Sequence, residues 1–426
     1  MPYGQGNPRT GGNLRPELVS PRASRPEQGI FPETRSVSFF IVIVLDRRKN
    51  KMDEPKEKIR GIVTRGVGGL YGVRTAEDPD TEILCRARGI LRQKKTSPTV
   101  GDDVWIELSD ARDPGEEAAE EPEESGKKTP AGGHAGPANR RSRKPIRGKS
   151  AIERGEADFD RGVDVDWVID AVDERRSLMI RPPVANLDYL FAVIPCASPE
   201  PDLLTADKLT VIAENYGIEC VIAVNKADLD PGRAEEIRRI YGTAGLRVFP
   251  LSAASGEGVD ELRAYLCEIS RSRSDGRHVS GAFAGVSGAG KSTLMTALFP
   301  DLKLATGSVS RKIERGRHTT RHVELFPIRM ETGGIFWLAD TPGFSMLDFT
   351  RFDFFPYDEL ASSFREFDDC LGKCRYTKCT HLREEGCAVL EKLRAGGIAP
   401  SRHDSYVRIW EEQRKVPEWK RKQNAE

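Results

Sequence analysis

Residues 285–292 read GVSGAGKS, the pattern of a loop that binds the phosphates of a nucleotide. The segment follows an apolar stretch (GAFAG) and precedes a helix-like one (STLMTALF), which is the context that this loop needs. Glycines let backbone N–H groups curl around phosphate, and a helix N-terminus favours an anion. Lys291 supplies a positive charge for the β- and γ-phosphates, and the Ser292 hydroxyl can bind Mg²⁺. The pattern predicts a site for a nucleoside triphosphate with magnesium.

A second segment, NKAD at residues 225–228, predicts which base is bound. It ends the apolar run CVIAVN, and Asp228 can accept hydrogen bonds from the N1–H and the exocyclic amine of guanine together. Adenine presents no such donor pair on that edge, which would leave the carboxylate unpaired. A backbone N–H of the loop at Ser252 and Ala253 could bind the guanine oxygen. We therefore expect GTP to be preferred over ATP.

Two further segments carry candidate switch residues. DTPG ends the run IFWLAD, where Asp340 is placed to hold Mg²⁺ through water and Gly343 to donate its N–H to the γ-phosphate. In GRHTTRH, Thr320 is our choice for the hydroxyl that closes on Mg²⁺, with Thr319 as the alternative. Loss of the γ-phosphate would release both segments.

The motifs together define a predicted GTP site. Its residues are Asn225, Lys226, Ala227, Asp228, Ser252, Ala253, Gly285, Val286, Ser287, Gly288, Ala289, Gly290, Lys291, Ser292, Thr293, Asp340 and Gly343.

Position 344 holds Phe where many GTPases have a glutamine that orients the attacking water. Intrinsic hydrolysis is therefore expected to be slow unless another group acts. His318 is the candidate, and with Lys291 and Thr320 it makes up the predicted catalytic set. A solvated loop histidine is the alternative interpretation.

Three cysteines and one histidine near the C-terminal end have the composition of a zinc site. Cys374, Cys379, His381 and Cys387 offer three thiolates and an imidazole, a set suited to one structural Zn²⁺ per chain. Cys370 is left out because four ligands suffice. Buried free cysteines are the alternative, and the polar neighbours in KCRYTKCTHLREEG argue against it.

Charge and composition exclude several classes of protein. Lys+Arg and Asp+Glu both number 66, so the formal net charge is zero. The net charge therefore gives no indication of what the partner is. Half of the eight cysteines lie between positions 370 and 387, which favours a reduced compartment with a metal site over a disulfide framework. The longest apolar run, FFIVIVL, is far shorter than the roughly 20 residues of a membrane span. We expect a cytoplasmic protein that binds no membrane.

The N-terminal half is predicted to contain a leader and a barrel. Residues 1–56 are rich in Pro, Gly and Arg, and the sequence from Met52 reads like a natural start. We interpret the preceding part as a dispensable leader, with a disordered extension as the alternative. Residues 57–182 contain short strands (GIVTRGVGGLYGVRT, TEILCRARGILR, VGDDVWIEL) typical of a barrel, to which VDVDWVIDAVDE and SLMIRP return. The charged segment 110–150 is predicted to be a disordered insertion.

The C-terminal half is predicted to contain two more domains. In residues 183–350, apolar runs (YLFAVIP, CVIAVN, RVFPLSA, GAFAG, IFWLAD) alternate with helix-like segments, as in an α/β domain with a parallel sheet. Residues 351–426 are Cys-rich and end in a basic helical tail. The base-reading motifs precede the phosphate loop, whereas in common GTPases they follow it. The chain after Gly343 therefore leads almost directly into the Cys/His segment, to which we expect the nucleotide state to be transmitted.

In this order, NKAD, SA, GVSGAGKS, GRHTT, DTPGF and CRYTKCTHLREEGC resemble the RsgA family of circularly permuted, ribosome small-subunit-dependent GTPases. The resemblance covers about residues 57–415, including CRARGILR, PTVGDDVWIEL and IRPPVANLD in the barrel region. The 110–150 insertion is not part of the family core, and the last barrel strand matches loosely. The resemblance implies an OB-fold barrel, a permuted P-loop GTPase domain and a small α zinc-binding domain.

The same resemblance implies a function. It implies hydrolysis of GTP to GDP and phosphate, with Mg²⁺, and binding to the small ribosomal subunit and its rRNA late in subunit assembly. Stimulation of hydrolysis by the subunit is also implied, and we expect a monomer. Two other classes stay open from the residues alone. An RNA-binding scaffold that holds GTP would turn over slowly with or without subunits, and an ATPase would be revealed by nucleotide competition.

Overall fold

The computed structural model describes residues 58–93, 96–109, 167–180, 182–271, 277–300, 323–340 and 357–415. These residues all belong to one unit of the chain, Lys56–Glu426. The predicted leader, its proposed start at Met52 and the charged insertion lie outside the described residues.

Short strands from the first part of this unit close into a barrel. They are β1 (Ile59–Val67), β2 (Leu70–Arg74), β3 (Ile83–Ala87), β4 (Asp103–Leu108) and β5 (Trp167–Val172). The order around the barrel is β1-β2-β3-β5-β4, with β4 pairing back onto β1 and with β3 parallel to β5. Alternate residues such as Val63, Val104 and Ile169 point inward and have no exposed surface. The predicted barrel is confirmed, with the strand arrangement of an OB-like Greek key.

Two sequence predictions in this region are wrong. GILR was expected to continue a strand, but Gly89–Gln93 forms a short helix, α1. SLMIRP was expected to return to the barrel, but β6 (Leu178–Ile180) instead pairs with β7 (Pro183–Ala185) as a separate ribbon. Strand propensity predicts extended structure but carries no information about the partner strand, which is set by tertiary packing.

A six-stranded sheet with helices on both faces follows. Its strands are β8 (Tyr189–Pro195), β9 (Glu219–Asn225), β10 (Arg247–Pro250), β11 (Val279–Ala284), β12 (Glu324–Arg329) and β13 (Ile335–Asp340). The helices are α2 (Leu203–Asn215), α3 (Pro231–Thr243), α4 (Val259–Ile269) and α5 (Lys291–Leu298). The order is β10-β9-β8-β11-β13-β12, and the strands are parallel except β12, which runs antiparallel to β13. The predicted α/β sheet is confirmed.

The two faces of the sheet have separate apolar cores. Leu190 and Ala192 of β8 pack with α2 and α3, whereas Phe191 and Val193 pack with α4 and α5. Strand order reverses between β8 and β11, since the chain builds outward to β10 and then returns to pair with β8. Open α/β sheets bind ligands at such a switch point, outside the carboxyl ends of the strands.

A small helical module docks on the α2/α3 face. It comprises two 3₁₀ helices (Leu360–Ser363 and Arg365–Phe367), α6 (Ala388–Arg394) and α7 (Pro400–Arg414). Phe364, Phe367 and Tyr406 are buried and share the apolar core of that face. Among the described residues, no helix combines the length and apolar character needed to cross a membrane.

Candidate functional site

The phosphate-binding segment forms a tight loop between β11 and α5. Gly285 and Gly290 adopt positive φ values of 146° and 89°. A Cβ on Gly285 would lie 2.3 Å from the Val193 carbonyl oxygen, and one on Gly290 would lie 2.3 Å from Asn225 Nδ2. Both positions therefore require glycine, because the loop is pressed against the ends of β8 and β9.

Lys291 begins α5 and folds back over the loop. Its Nζ donates to the carbonyl oxygens of Gly285 at 2.8 Å and Val286 at 2.9 Å, and burial lowers the pKa of this ammonium group. Ser292 and Thr293 follow in the first helical turn and are exposed. The loop thus presents a lysine and a hydroxyl at the N-terminus of a helix, where an anion is favoured.

Asn225 joins three of the predicted motifs. Its Nδ2 donates to the Ala289 carbonyl oxygen at 2.8 Å, and its Oδ1 accepts from the backbone N–H of Lys226 at 2.8 Å and of Ala253 at 3.0 Å. The side chain is buried, so these bonds are protected from water. One amide therefore holds the phosphate loop, the NKAD turn and the Ser252-Ala253 loop together.

The same contacts constrain the predicted base-binding residues. Lys226 donates through Nζ to the Gly288 carbonyl oxygen at 2.8 Å, while Asp228 is exposed at the end of the turn. The N–H groups of Ser252 and Ala253 donate within the protein, to Glu257 O at 2.8 Å and to Asn225 Oδ1 at 3.0 Å. Guanine binding through the Ala253 N–H would therefore require this bond to be shared or exchanged.

Asp340 ends β13, two strands from β8 and on the same sheet edge as the loop. Burial raises the pKa of its carboxyl group. Thr341, Pro342, Gly343 and Phe344 lie outside the described residues. His318, Thr319 and Thr320 also lie outside them, so the predicted switch and catalytic residues stay predictions.

The four predicted zinc ligands come together in the C-terminal module. Their donor atoms all lie within 4.8 Å of one another. Cys374 Sγ is 3.9 Å from Cys387 Sγ, and His381 Nδ1 is 3.5 and 3.4 Å from these two sulfurs. A tetrahedral Zn²⁺ with ordinary bond lengths separates two sulfurs by about 3.8 Å and sulfur from nitrogen by about 3.6 Å. The residues are therefore compatible with zinc, which His381 would bind through Nδ1.

Neighbouring groups fix the shape of this cluster. The carboxylate of Glu384 accepts hydrogen bonds from the backbone N–H groups of Thr380 at 2.8 Å and Leu382 at 2.9 Å, and also from the Thr380 hydroxyl. Tyr406 Oη donates to the Thr380 carbonyl oxygen at 2.8 Å. Cys370 is outside the cluster, as expected.

Burial raises the pKa of the Cys379 and Cys387 thiols. A metal ion that binds them must therefore displace protons, which makes its affinity depend on pH.

Comparisons with known proteins match this order of modules. Residues 60–114 match the family profile described as RsgA N-terminal domain, and residues 172–350 match that of the RsgA GTPase. A Geobacillus thermodenitrificans protein named small ribosomal subunit biogenesis GTPase RsgA is 41% identical over 351 residues, or 82% of this chain and 94% of that protein. A Ruminiclostridium cellulolyticum protein of the same name is 31% identical over 362 residues, or 85% and 96%.

The chain belongs to the RsgA family of GTPases. It is therefore a GTP-hydrolysing enzyme, as predicted from its motifs. YjeQ from Thermotoga maritima superposes with a TM-score of 0.57 at 26% identity, covering 85% of this chain and 100% of that chain. YloQ, described as a circularly permuted GTPase, has a TM-score of 0.56 at 24% identity and shares the fold. The predicted combination is confirmed: a barrel, a permuted GTPase domain and a small C-terminal module (the zinc-type module) whose Cys₃His cluster is compatible with zinc.

One cluster in this RsgA chain was not predicted from the sequence. Arg402 of α7 is buried and pairs with Asp207 of α2 and with Glu366, both at 2.7 Å. Arg365 also bridges the module and the sheet domain, with Glu219 at 2.8 Å and with Glu214. Charged residues on helices are usually solvated, so the sequence does not distinguish these residues from surface ones. Only the packing of the module against the sheet domain identifies them as an interface.

Proposed function

We propose that this GTPase binds the small ribosomal subunit late in its assembly and that the subunit stimulates hydrolysis of GTP to GDP and phosphate. The observation that carries the nucleotide part of the proposal is the junction at Asn225, which joins the base-reading and phosphate-binding motifs of a permuted chain. The family relatives named for small-subunit biogenesis supply the partner. Such a partner would act on this protein in the cytoplasm.

In this proposal, the nucleotide lies across the carboxyl ends of β9, β11 and β13. Asp228 binds the guanine edge, while the loop N–H groups and Lys291 bind the phosphates. Lys291 now donates to loop carbonyls at 2.8 and 2.9 Å, so nucleotide binding would exchange these bonds for bonds to phosphate. Ser292 and Thr320 would hold Mg²⁺, with Asp340 reached through water. The ion neutralises the charge that develops on the phosphates.

The Cys₃His cluster is proposed to be a closed structural site. With four protein ligands no position is left for water, so a metal there supplies folding free energy rather than chemistry. The borders of the three domains, at 57–182, 183–350 and 351–426, likewise remain part of the proposal.

The decisive experiment measures GTP hydrolysis by the purified chain alone, with purified small ribosomal subunits and with large subunits as the control. Only small subunits are expected to raise kcat. Completing a GTPase site in trans raises rates by about 10³–10⁵ where it is known. Turnover that stays equally slow in all three mixtures would instead favour a GTP-holding RNA scaffold, a reading that Phe344 in place of glutamine also supports.

A further inference from the structure

The loop from Cys374 to Cys379, which joins the first two predicted zinc ligands and is called the zinc-type loop below, exposes an aromatic ring. Tyr376 is 50% exposed. Five large hydrophobic side chains are exposed among the described residues, and Tyr376 is the aromatic one. The loop is short, from Cys374 to Cys379, and its surroundings are polar. An exposed tyrosine on such a loop offers a flat surface without adding to the core.

Four cations lie close to Tyr376 in the sequence. Lys373, Arg375, Lys378 and Arg383 are all exposed, and the Arg375 guanidinium lies 5.6 Å from the centre of the Tyr376 ring. Arg375 approaches Glu385 only at 3.9 Å, with both side chains largely in solvent. Within the part of the chain that the structure describes, no ion pair involves the side chains of the other three cations. Their positive charge is therefore available to a partner.

Four cations on or beside the barrel strands are in a different situation. They pair with carboxylates, which reduces the charge that they offer to an anion. The pairs are Lys58–Asp170, Arg60–Asp173, Arg65–Glu82 and Arg88–Asp170. The cations near Tyr376 therefore differ from these four paired cations of the barrel region.

Backbone hydrogen bonds restrain this loop. Cys379 donates its N–H to the Tyr376 carbonyl oxygen at 3.2 Å, and Arg375 donates its N–H to the Gly386 carbonyl oxygen at 2.9 Å. The cluster formed by Cys374 and Cys379 closes both ends of the loop. A ligand that contacts Tyr376 would therefore have little conformational entropy to remove.

We propose that Tyr376 stacks on an unpaired base of small-subunit rRNA while Lys373, Arg375, Lys378 and Arg383 contact the flanking phosphates. Stacking of bases on aromatic rings together with phosphate contacts is how single-stranded RNA is recognised. This inference rests on the proposed function and identifies the surface that serves it. It assigns the RNA-stacking contact to the zinc-type loop rather than to the barrel.

The test measures the Kd of the full chain for purified small subunits in the presence of a non-hydrolysable GTP analogue. Tyr376→Ala is expected to raise Kd about 5- to 150-fold, the range that corresponds to ~1–3 kcal/mol for one stacked base. Tyr376→Phe keeps the ring and should stay close to the parent, whereas Tyr376→Leu keeps apolar bulk without an aromatic face and should behave like Tyr376→Ala. Zinc content and basal hydrolysis should not change in any variant.

Salt dependence provides a second readout. Lys378→Gln should reduce the slope of log Kd against log salt concentration by about 0.7, the value per phosphate contact on a single strand. Tyr376→Ala should leave the slope unchanged. Ultraviolet crosslinking should join Tyr376 to RNA, and a crosslink to a ribosomal protein would overturn the RNA assignment.

Two failures can be told apart. If the parent binds small subunits and Tyr376→Ala binds equally well, the stacking contact is wrong and the proposed function stands. If the parent itself shows neither binding nor stimulation, the proposed function is wrong and this inference is overturned with it.

Discussion

Arg402 in the C-terminal module donates through Nη1 to Asp207 Oδ1 in the sheet domain at 2.7 Å, with both side chains at most 2% exposed. The same guanidinium donates to Glu366 and to the Thr210 hydroxyl and lies 4.8 Å from the centre of the Phe364 ring. Asp207 lies on α2, and the first turn of α2 lines a small cavity together with Gly285 and Val286. The position of the module is thus tied to the helix beside the phosphate loop.

Arg402→Met should strongly destabilise the protein. Removing the cation leaves two buried carboxylates without their partner, a change that costs about 3–5 kcal/mol in comparable sites. Arg238→Met is the matched control, because Arg238 pairs with Glu235 on the exposed surface of α3, where solvent screens the pair and its loss should change stability little. Urea unfolding midpoints of both variants measure the difference. Equal midpoints would show that the buried pair does not hold the module in place.

Asp228→Asn should change the base preference of the enzyme. The carboxylate is predicted to accept from two guanine donors, and an amide at this position instead matches xanthine, whose donor–acceptor pattern on that edge is altered. Competition between GTP and xanthosine triphosphate measures the preference. Asp230→Asn is the control, since Asp230 caps α3 by accepting from the Arg233 N–H at 2.9 Å and asparagine can keep that bond. A variant at position 228 that still selects GTP would show that the motif does not read the base.

Cys379→Ala should release zinc and unfold the C-terminal module, because metal binding and folding are coupled in closed sites. GTP affinity is expected to survive, since the nucleotide motifs lie on the sheet domain. Cys370→Ala removes a neighbouring buried thiol that is outside the cluster and should keep one zinc per chain. Metal analysis of the purified proteins measures the outcome, and parent protein without zinc would refute the site.

Glu384→Gln should destabilise the zinc-type module at neutral pH. Partial burial opposes ionisation of Glu384, but hydrogen bonds from Thr380 and nearby N–H groups outweigh it and lower the pKa of the carboxyl group to about 2. A carboxyl whose pKa is lower in the folded state stabilises the fold above its unfolded pKa of about 4.3 and loses that contribution as pH falls toward 2. We expect a loss of ~1–2 kcal/mol at pH 7, given the partly exposed position.

Melting temperatures between pH 8 and pH 4 check the direction. The difference in melting temperature between the parent and Glu384→Gln should be constant from pH 8 down to about pH 5.5. It should become smaller below about pH 4.5. Glu385→Gln alters the adjacent side chain, which is 89% exposed, and should follow the parent throughout. A difference that widened on acidification would contradict the assigned pKa direction.

The sequence predicted the parts of the site that depend on local order. The loop at 285–292 needs glycines between a strand and a helix, and the NKAD turn needs a buried strand before it, so both could be recognised from adjacent residues. The zinc-type ligands were predictable for the same reason, since they fall within one short segment. The strand β12 was not singled out, because this edge strand is only half-buried and lacks the continuous apolar pattern of its neighbours.

Contacts between distant segments could not be predicted in this way. The partners of Arg402 lie 195 and 36 residues away along the chain, and their pairing arises only when α7 docks on α2. The bond from the Ala253 N–H to Asn225 likewise uses one of the two loop N–H groups that the sequence offered for the guanine oxygen. In each case the sequence shows which residue is present, but tertiary packing determines its hydrogen-bond or ion-pair partner.

The last prediction concerns catalysis without the usual glutamine. Phe344 cannot polarise water, so another group has to act, and His318 precedes the proposed Mg²⁺ ligand Thr320 by two residues. We expect bound small-subunit rRNA to fix this segment and bring His318 to the attacking water. His318→Ala should then keep GTP affinity and the slow basal rate, because no phosphate or base contact is lost. It should remove most of the subunit-stimulated turnover. Completing a GTPase site in trans raises the rate on the order of 10³–10⁵-fold, so the loss should be large.

Single-turnover hydrolysis with and without small subunits separates these rates. Phe344→Gln is the companion variant, and a restored glutamine should raise the basal rate in the absence of subunits. His403→Ala is a useful contrast, since His403 is buried in the C-terminal module, where its Nε2 lies 2.9 Å from the His381 carbonyl oxygen. Its loss should lower the stability of the module, whereas loss of His318 should leave melting unchanged. If His318→Ala is stimulated as strongly as the parent, the water-orienting group comes from the rRNA or from another residue of the loop.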